Sequence, residues 1–100
     1  MFDKAKQLYD LQKKARAIQK ELKDTEIEAR SMGDLVGVRF NGEQHVLGID
    51  IDESLVADGK KRELEKALQQ AIAEAISKSQ ALAAEKMKII AGNLNIPGLG

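Results

Sequence analysis

The hydrophobic pattern of this chain changes period twice, near Thr25 and again near Asp52, and few folds accommodate such a change. Before the first change, Leu8, Leu11, Ala15, Ile18 and Leu22 are spaced by three and four residues, so they form one narrow seam on a helix predicted over about 2–23. Between the changes the period drops to two, the signature of half-buried strands. "TEIEARSMG" sets Ile27, Ala29 and Thr25 against Glu26, Glu28 and Arg30, and "LVGVRF" puts Val36, Val38 and Phe40 on one face. In the third run Leu47, Ile49 and Ile51 point one way while Val46, Gly48, Asp50 and Asp52 point the other. Gly33-Asp34 supplies the first turn. Asn41-Gly42 predicts a two-residue type I′ hairpin, because both positions tolerate positive φ. After "DESLVADG", in which Asp52 and Asp58 are candidate caps, the helical period returns from about Lys60 to Ala91. The predicted class is α+β: an α-β-β-β-α protomer, with a three-stranded antiparallel meander, apolar on one face, between two long helices.

Lengths then bear on assembly. A helix of some thirty residues extends about 45 Å, whereas a six-residue strand covers about 20 Å, so more than half of the second helix is expected to overhang the sheet. The overhang is not polar all round, because Ile72, Ala75, Ile76, Ser79, Leu82, Ala83, Met87 and Ile90 carry an apolar stripe to its end. A chain of 100 residues has a modest core, and the first helix covers only part of that stripe. A second copy of the chain would bury the rest, which predicts a homodimer. Residues 1–92 read as a single domain and residues 93–100, "NLNIPGLG", as a flexible tail.

Net charge is zero, so there is no overall basic excess, but charge is segregated along the chain. Residues 1–23 hold seven Lys/Arg against three Asp/Glu, residues 24–58 two against nine, and residues 59–100 seven against four. On the first helix Lys6, Lys13, Arg16, Lys20 and Lys23 fall roughly opposite the apolar seam, while Asp3, Asp10 and Glu21 gather on a separate flank. That stripe is either an ordinary solvated face or a surface for a polyanion. In "GKKRELEKAL", Lys60, Lys61 and Arg62 occupy the first turn of the second helix, where the macrodipole disfavours cations by a few tenths of a kcal/mol each. Either Glu63 and Glu65 offset that cost locally, or the cations and the free backbone N–H groups there serve phosphate oxygens.

Signals for catalysis are weak. Asp50, Asp52 and Glu53 are the tightest carboxylate cluster, yet a hard cation needs about six oxygen ligands in a preformed cage, and strand solubility and capping account for them. His45, the only histidine, has no nucleophile at motif spacing and reads as a surface strand residue. The chain has no phosphate loop, Cys/His metal spacing or nucleophile elbow, and no cysteine, so neither an enzyme nor a cofactor is expected. No stretch approaches the roughly 18 apolar residues of a membrane span, and "MFDKAKQLYD" carries charge where a signal peptide has an apolar run, which predicts a cytoplasmic protein.

"GDLVGVRFNGEQHVLGIDIDESLV" resembles the central segment of the YbaB/EbfC family of bacterial nucleoid-associated proteins. Leu35, Val36, Val38, Asn41, Gly42, Ile51, Asp52, Ser54 and Leu55 match the family's pattern, and Glu53 stands where an "IDPSL" run has proline. The resemblance extends to the Gln/Lys-rich first helix, to Glu85, Lys86 and Met87 near the end of the Ala-rich second, and to Pro97-Gly98. It implies a tweezer-like homodimer joined through its sheet region, with projecting helices that bind double-stranded DNA in the nucleoid. The expected DNA-binding residues are Lys6, Lys13, Arg16, Lys20 and Lys23 with Lys60, Lys61 and Arg62. With three aromatics and no recognition-helix pattern, contacts should go to phosphates without sequence readout, at modest affinity that falls steeply with salt. The alternative is a protein-interaction or holdase-like module that clasps a partner between helical arms. No membrane or small-molecule substrate is expected on either reading.

Overall fold

The computed structural model describes residues 2–94. The order is α1 (Phe2–Asp24), β1 (Glu26–Ser31), β2 (Val36–Asn41), β3 (Val46–Ile51), a 3-10 turn (Glu53–Val56) and α2 (Lys61–Leu94). The strands pair antiparallel in the order β1-β2-β3, with Ile27 opposite Phe40, Ala29 opposite Val38 and Val36 opposite Ile51. The α-β-β-β-α architecture is therefore the expected one.

The core follows from period two on the sheet and period four on the helix. Ala29, Val36, Val38 and Phe40 meet Ala67, Ala71 and Ala75 of α2, with Leu55 of the 3-10 turn closing one end. Small residues every fourth position bring the α2 backbone close to the strands. Two side-chain contacts set its direction: Ser31 Oγ donates to Ala67 O at 2.5 Å, and Lys78 Nζ to Glu28 O at 3.0 Å. Thus α2 runs opposite to β1. It leaves the sheet past Ser79, whose buried hydroxyl donates to Ile76 O at 2.9 Å.

Beyond the sheet α2 lies beside α1, where Lys86 Nζ meets Glu21 Oε1 at 2.6 Å. Half-buried positions on that stretch are Leu11, Ala15, Ile18 and Leu22 of α1 and Leu82, Ala83, Lys86 and Ile90 of α2. The molecule measures 68 × 24 × 15 Å with a radius of gyration of 19.1 Å, against about 13 Å for a compact chain of this length. The seam of α1 therefore does take a helical partner. Residues 80–94 overhang, less than half of the 34 in α2, because Leu64 already packs against the core beside the β1–β2 turn and Leu55. The helix also continues through Gly92 to Leu94, past the predicted stop at Ala91 and the predicted domain limit at 92. The remainder of the predicted tail, 95–100, lies outside the described residues.

Two local predictions are corrected. Neither Asn41 nor Gly42 has positive φ; Gln44 does, at 66°. Gln44 N donates to Asn41 O and Asn41 N to His45 O, each at 3.0 Å, so a three-residue loop ending in a left-handed residue replaces the type I′ turn. The cause is tertiary, since Gly42 N donates to Leu22 O at 2.7 Å and to Thr25 O at 3.1 Å. On β3, the register shifts between Arg39, opposite Gly48, and Phe40, opposite Val46. Leu47 is the extra residue of a bulge, and Val46 takes the expected place of Leu47 beside Ile49 and Ile51.

Asp52 caps the 3-10 turn: its Oδ2 accepts from Ser54 N at 3.0 Å and Ser54 Oγ at 2.6 Å. These two hydrogen bonds, the hydroxyl's first, hold the carboxyl below its ordinary range. A depressed folded-state value stabilises the fold above the ordinary carboxylate pKa, and the contribution disappears as acid protonates the group. Asp52→Ala is accordingly expected to lower the urea midpoint at pH 7 and to converge on the unsubstituted protein in strong acid; an equal deficit at both pH values would assign the loss to packing.

Candidate nucleic-acid interface

Five of the seven basic side chains of α1 form two heptad-spaced rows. Lys6, Lys13 and Lys20 make one; Arg16 and Lys23 belong to the other, which Tyr9 begins. Seven residues rise about 10.5 Å, so successive members of a row lie on one side of the helix at that spacing. All five cations are exposed, and none is in an ion pair with another described residue. Two shallow hollows follow the stripe. One of about 170 Å³ is lined by Tyr9, Gln12, Lys13 and Arg16. The next, of about 590 Å³, is bounded by Arg16, Gln19, Lys20 and Lys23, with Asp24 and Glu43 at its far rim.

The second predicted cluster has a different character. Lys60 N closes a turn on Ala57 O at 3.2 Å, and Lys60 O accepts the first helical bond from Leu64 N at 3.0 Å. Lys60 Nζ lies 3.5 Å from Glu63 and Lys61 Nζ 3.9 Å from Glu65, so each of the two has a carboxylate beside it at the helix start. Arg62 is exposed. The structure does not bring the two clusters together: from Lys61 to Lys86, which adjoins α1, the helix rises about 37 Å.

On the sheet face opposite α2, two arginines lie across two glycines. A Cβ on Gly37 would stand 2.5 Å from Arg30 Nη1, and a Cβ on Gly48 would run into the Arg39 guanidinium. Arg30 Nη1 donates to Glu28 at 2.6 Å and its Nε is 3.4 Å from Asp34. The hydrogen bond to Glu28 is the main cause that raises the Arg30 pKa. Arg39 reaches Glu26 at 3.4 Å and Asp50 at 3.8 Å. Four carboxylates thus surround two cations, which leaves this face net acidic.

The carboxylates weighed as a cation site are committed elsewhere, Asp50 toward Arg39 and Asp52 to Ser54. Among the described residues no group of three or more Asp, Glu, His or Cys side chains is placed to hold a metal ion. His45 is exposed, its backbone tied to Asn41 on both sides. Tyr9, Gln12 and Gln19 share the stripe and were missed, although heptad spacing from Arg16 and Lys23 would have found Tyr9.

Residues 1–94 match the model of the YbaB/EbfC DNA-binding family. The chain belongs to that family. A nucleoid-associated protein of Rhodopseudomonas palustris strain HaA2 is 41% identical over 96 residues, covering 95% of this chain and 91% of that one. Another, from Syntrophobacter fumaroxidans, is 38% identical over 98 residues, with 98% and 89% covered. In three dimensions the chain superposes on the crystal structure of an uncharacterised protein, HP0035, of Helicobacter pylori, with a TM-score of 0.71 at 25% identity over 88% of this chain and 89% of that one. The YbaB/EbfC family is described as DNA-binding, and its description names no catalytic activity. Among the described residues no helix is long and apolar enough to cross a membrane.

Proposed function

We propose that this protein is a homodimeric, nucleoid-associated, cytoplasmic protein that binds double-stranded DNA through phosphate contacts and largely without regard to sequence. The observation that carries the reading is the exposed stripe of Lys6, Lys13, Arg16, Lys20 and Lys23, free of ion pairs with described residues and set on a helix away from the carboxylate-rich sheet face. Lys60, Lys61 and Arg62 form a second, weaker contact, because two of the three share their charge with glutamates. Binding of random duplex DNA, titrated with salt, tests this. A steep linear fall of log affinity with log salt supports it, whereas salt-insensitive binding of unfolded protein with no retention of DNA would favour the holdase-like alternative.

Dimerisation is argued from what α2 leaves uncovered. It spans β1 and β2 but not β3, so Val46, Leu47, Ile49 and Ile51 remain between 38% and 57% exposed on an edge strand, and Val56 of the following 3-10 turn is 65% exposed. A row of aliphatics beside unpaired backbone groups is a template for association, and a second copy covers it symmetrically. Ile49→Lys combined with Ile51→Lys is expected to convert a dimer of 22 kDa, twice the 11.0 kDa chain, into a monomer on a mass measurement. A dimer that survives both changes would place the interface elsewhere.

A further inference from the structure

The α1 stripe contains one residue that phosphate binding does not explain. Tyr9 occupies the place where the row of Arg16 and Lys23, continued by seven residues, would have another cation. Tyr9 is 66% exposed and lies on the side of α1 away from the apolar seam, so it contributes little to the helix pair. It shares a hollow with Gln12, Lys13 and Arg16. The hollow therefore combines an aromatic face, an amide able to donate and accept, and two cations one and two turns further on.

Phosphates alone would be served better by lysine at this position. On intact duplex the bases are stacked on one another and offer no π-face to a side chain resting on the backbone. An unstacked base does offer one, and stacking on an aromatic side chain is a recurrent, sequence-tolerant source of affinity for single-stranded nucleic acid. Gln12, one turn from Tyr9, has the donor and acceptor needed for the edge of such a base, while Lys13 and Arg16 hold the flanking phosphates.

We infer that Tyr9 and Gln12, framed by Lys13 and Arg16, form a stacking site for an unpaired nucleobase, so that duplex DNA interrupted by a short gap or bulge is bound more tightly than intact duplex. The inference rests on the DNA-binding reading above and adds a preferred substrate to it.

The chain supplies its own probe, since it contains one tyrosine and no tryptophan, so tyrosine emission reports on Tyr9 alone. The full-length protein is titrated with an intact duplex and with the same duplex carrying a two-nucleotide gap, following emission and affinity together. The expected result is quenching that is deeper with the gapped DNA, and about tenfold tighter binding of it, within the range found for one stacked base. Tyr9→Phe retains the ring and should retain the affinity ratio; Tyr9→Leu retains bulk without a π-face and should bring the ratio close to one. Equal affinities for the two DNAs, or a ratio unchanged in Tyr9→Leu, overturns the inference while the DNA-binding reading stands. Failure to bind either DNA at low salt overturns both. Quenching that follows protein concentration in the absence of DNA would assign Tyr9 to a contact between copies and also overturns it.

Discussion

Alanine at position 42 is expected to destabilise the fold by about 2–4 kcal/mol, a large effect for the addition of one methyl group. Gly42 is buried at the tip of the β2–β3 hairpin, and its N–H donates to Leu22 O and Thr25 O. A Cβ there would stand 2.6 Å from Leu22 O and 2.9 Å from Leu22 Cα, both backbone atoms of the last turn of α1. Backbone does not rotate aside as a side chain does, so either the hairpin tip or the helix end must retreat. Retreat breaks hydrogen bonds that fix the direction in which α1 leaves the sheet, and the basic stripe proposed to meet DNA is on α1. Urea unfolding should show a lower midpoint with little change in slope, and DNA affinity should fall although no charge has been altered. Gly92→Ala makes the contrast, because nothing lies near its missing Cβ and alanine favours a helix by about 1 kcal/mol. Gly33→Ala makes another: at φ 67° with open space around it, only backbone strain should register. If Gly42→Ala unfolds with the unsubstituted midpoint, the clasp between hairpin and helix does not hold α1.

The same glycine shows what could and could not be read from sequence. Period two placed Ile27, Ala29, Val36, Val38 and Phe40 on one face correctly, because burial of alternate residues is a local consequence of strand geometry. Asn41-Gly42 correctly signalled a hairpin, but local preference chose type I′ whereas contact with Leu22, twenty residues earlier, selected a longer loop. Gly42 is needed for close approach and not for positive φ, and alternation alone does not distinguish those uses. The bulge at Leu47 escaped for a related reason, since a strand read alone carries no register.

At the candidate site the division is similar. A helical wheel locates the five cations of the α1 stripe, because their common face follows from rotation per residue. It does not tell whether a cation is already paired, and the structure separates Lys13 and Lys20, in no ion pair with another described residue, from Lys60 and Lys61, which lie 3.5 and 3.9 Å from Glu63 and Glu65. Nor does it give the distance between clusters, which depends on α2 running antiparallel to β1 and then lying beside α1 at Lys86. Lys86 illustrates the point: it belongs to a basic segment in sequence, yet its hydrogen bond to Glu21 raises its pKa and joins the two helices.

Reversal of Lys13, Arg16 and Lys20 together to glutamate is expected to abolish a mobility shift of duplex DNA at low salt. Each phosphate contact contributes a slope of about 0.9 in log affinity against log salt, so at 0.1 M three contacts amount to roughly 2.7 decades, about five-hundredfold. Reversal costs more than neutralisation, because the chain passes from a net charge of zero to −6 and the new carboxylates repel the phosphates they face. The charge-matched variant with Lys60, Lys61 and Arg62 reversed also carries −6, so comparing the two separates contact from net charge. It should lose less, since Lys60 and Lys61 already share their charge with Glu63 and Glu65. Neither variant is expected to unfold: the altered side chains are exposed, and circular dichroism should retain both helices. Equal losses in the two variants would mean that overall charge governs binding, and an unchanged shift for the first would remove α1 from the interface. A loss confined to the first would leave α1 as the surface that meets the phosphates, with the carboxylate-rich sheet face turned away from them.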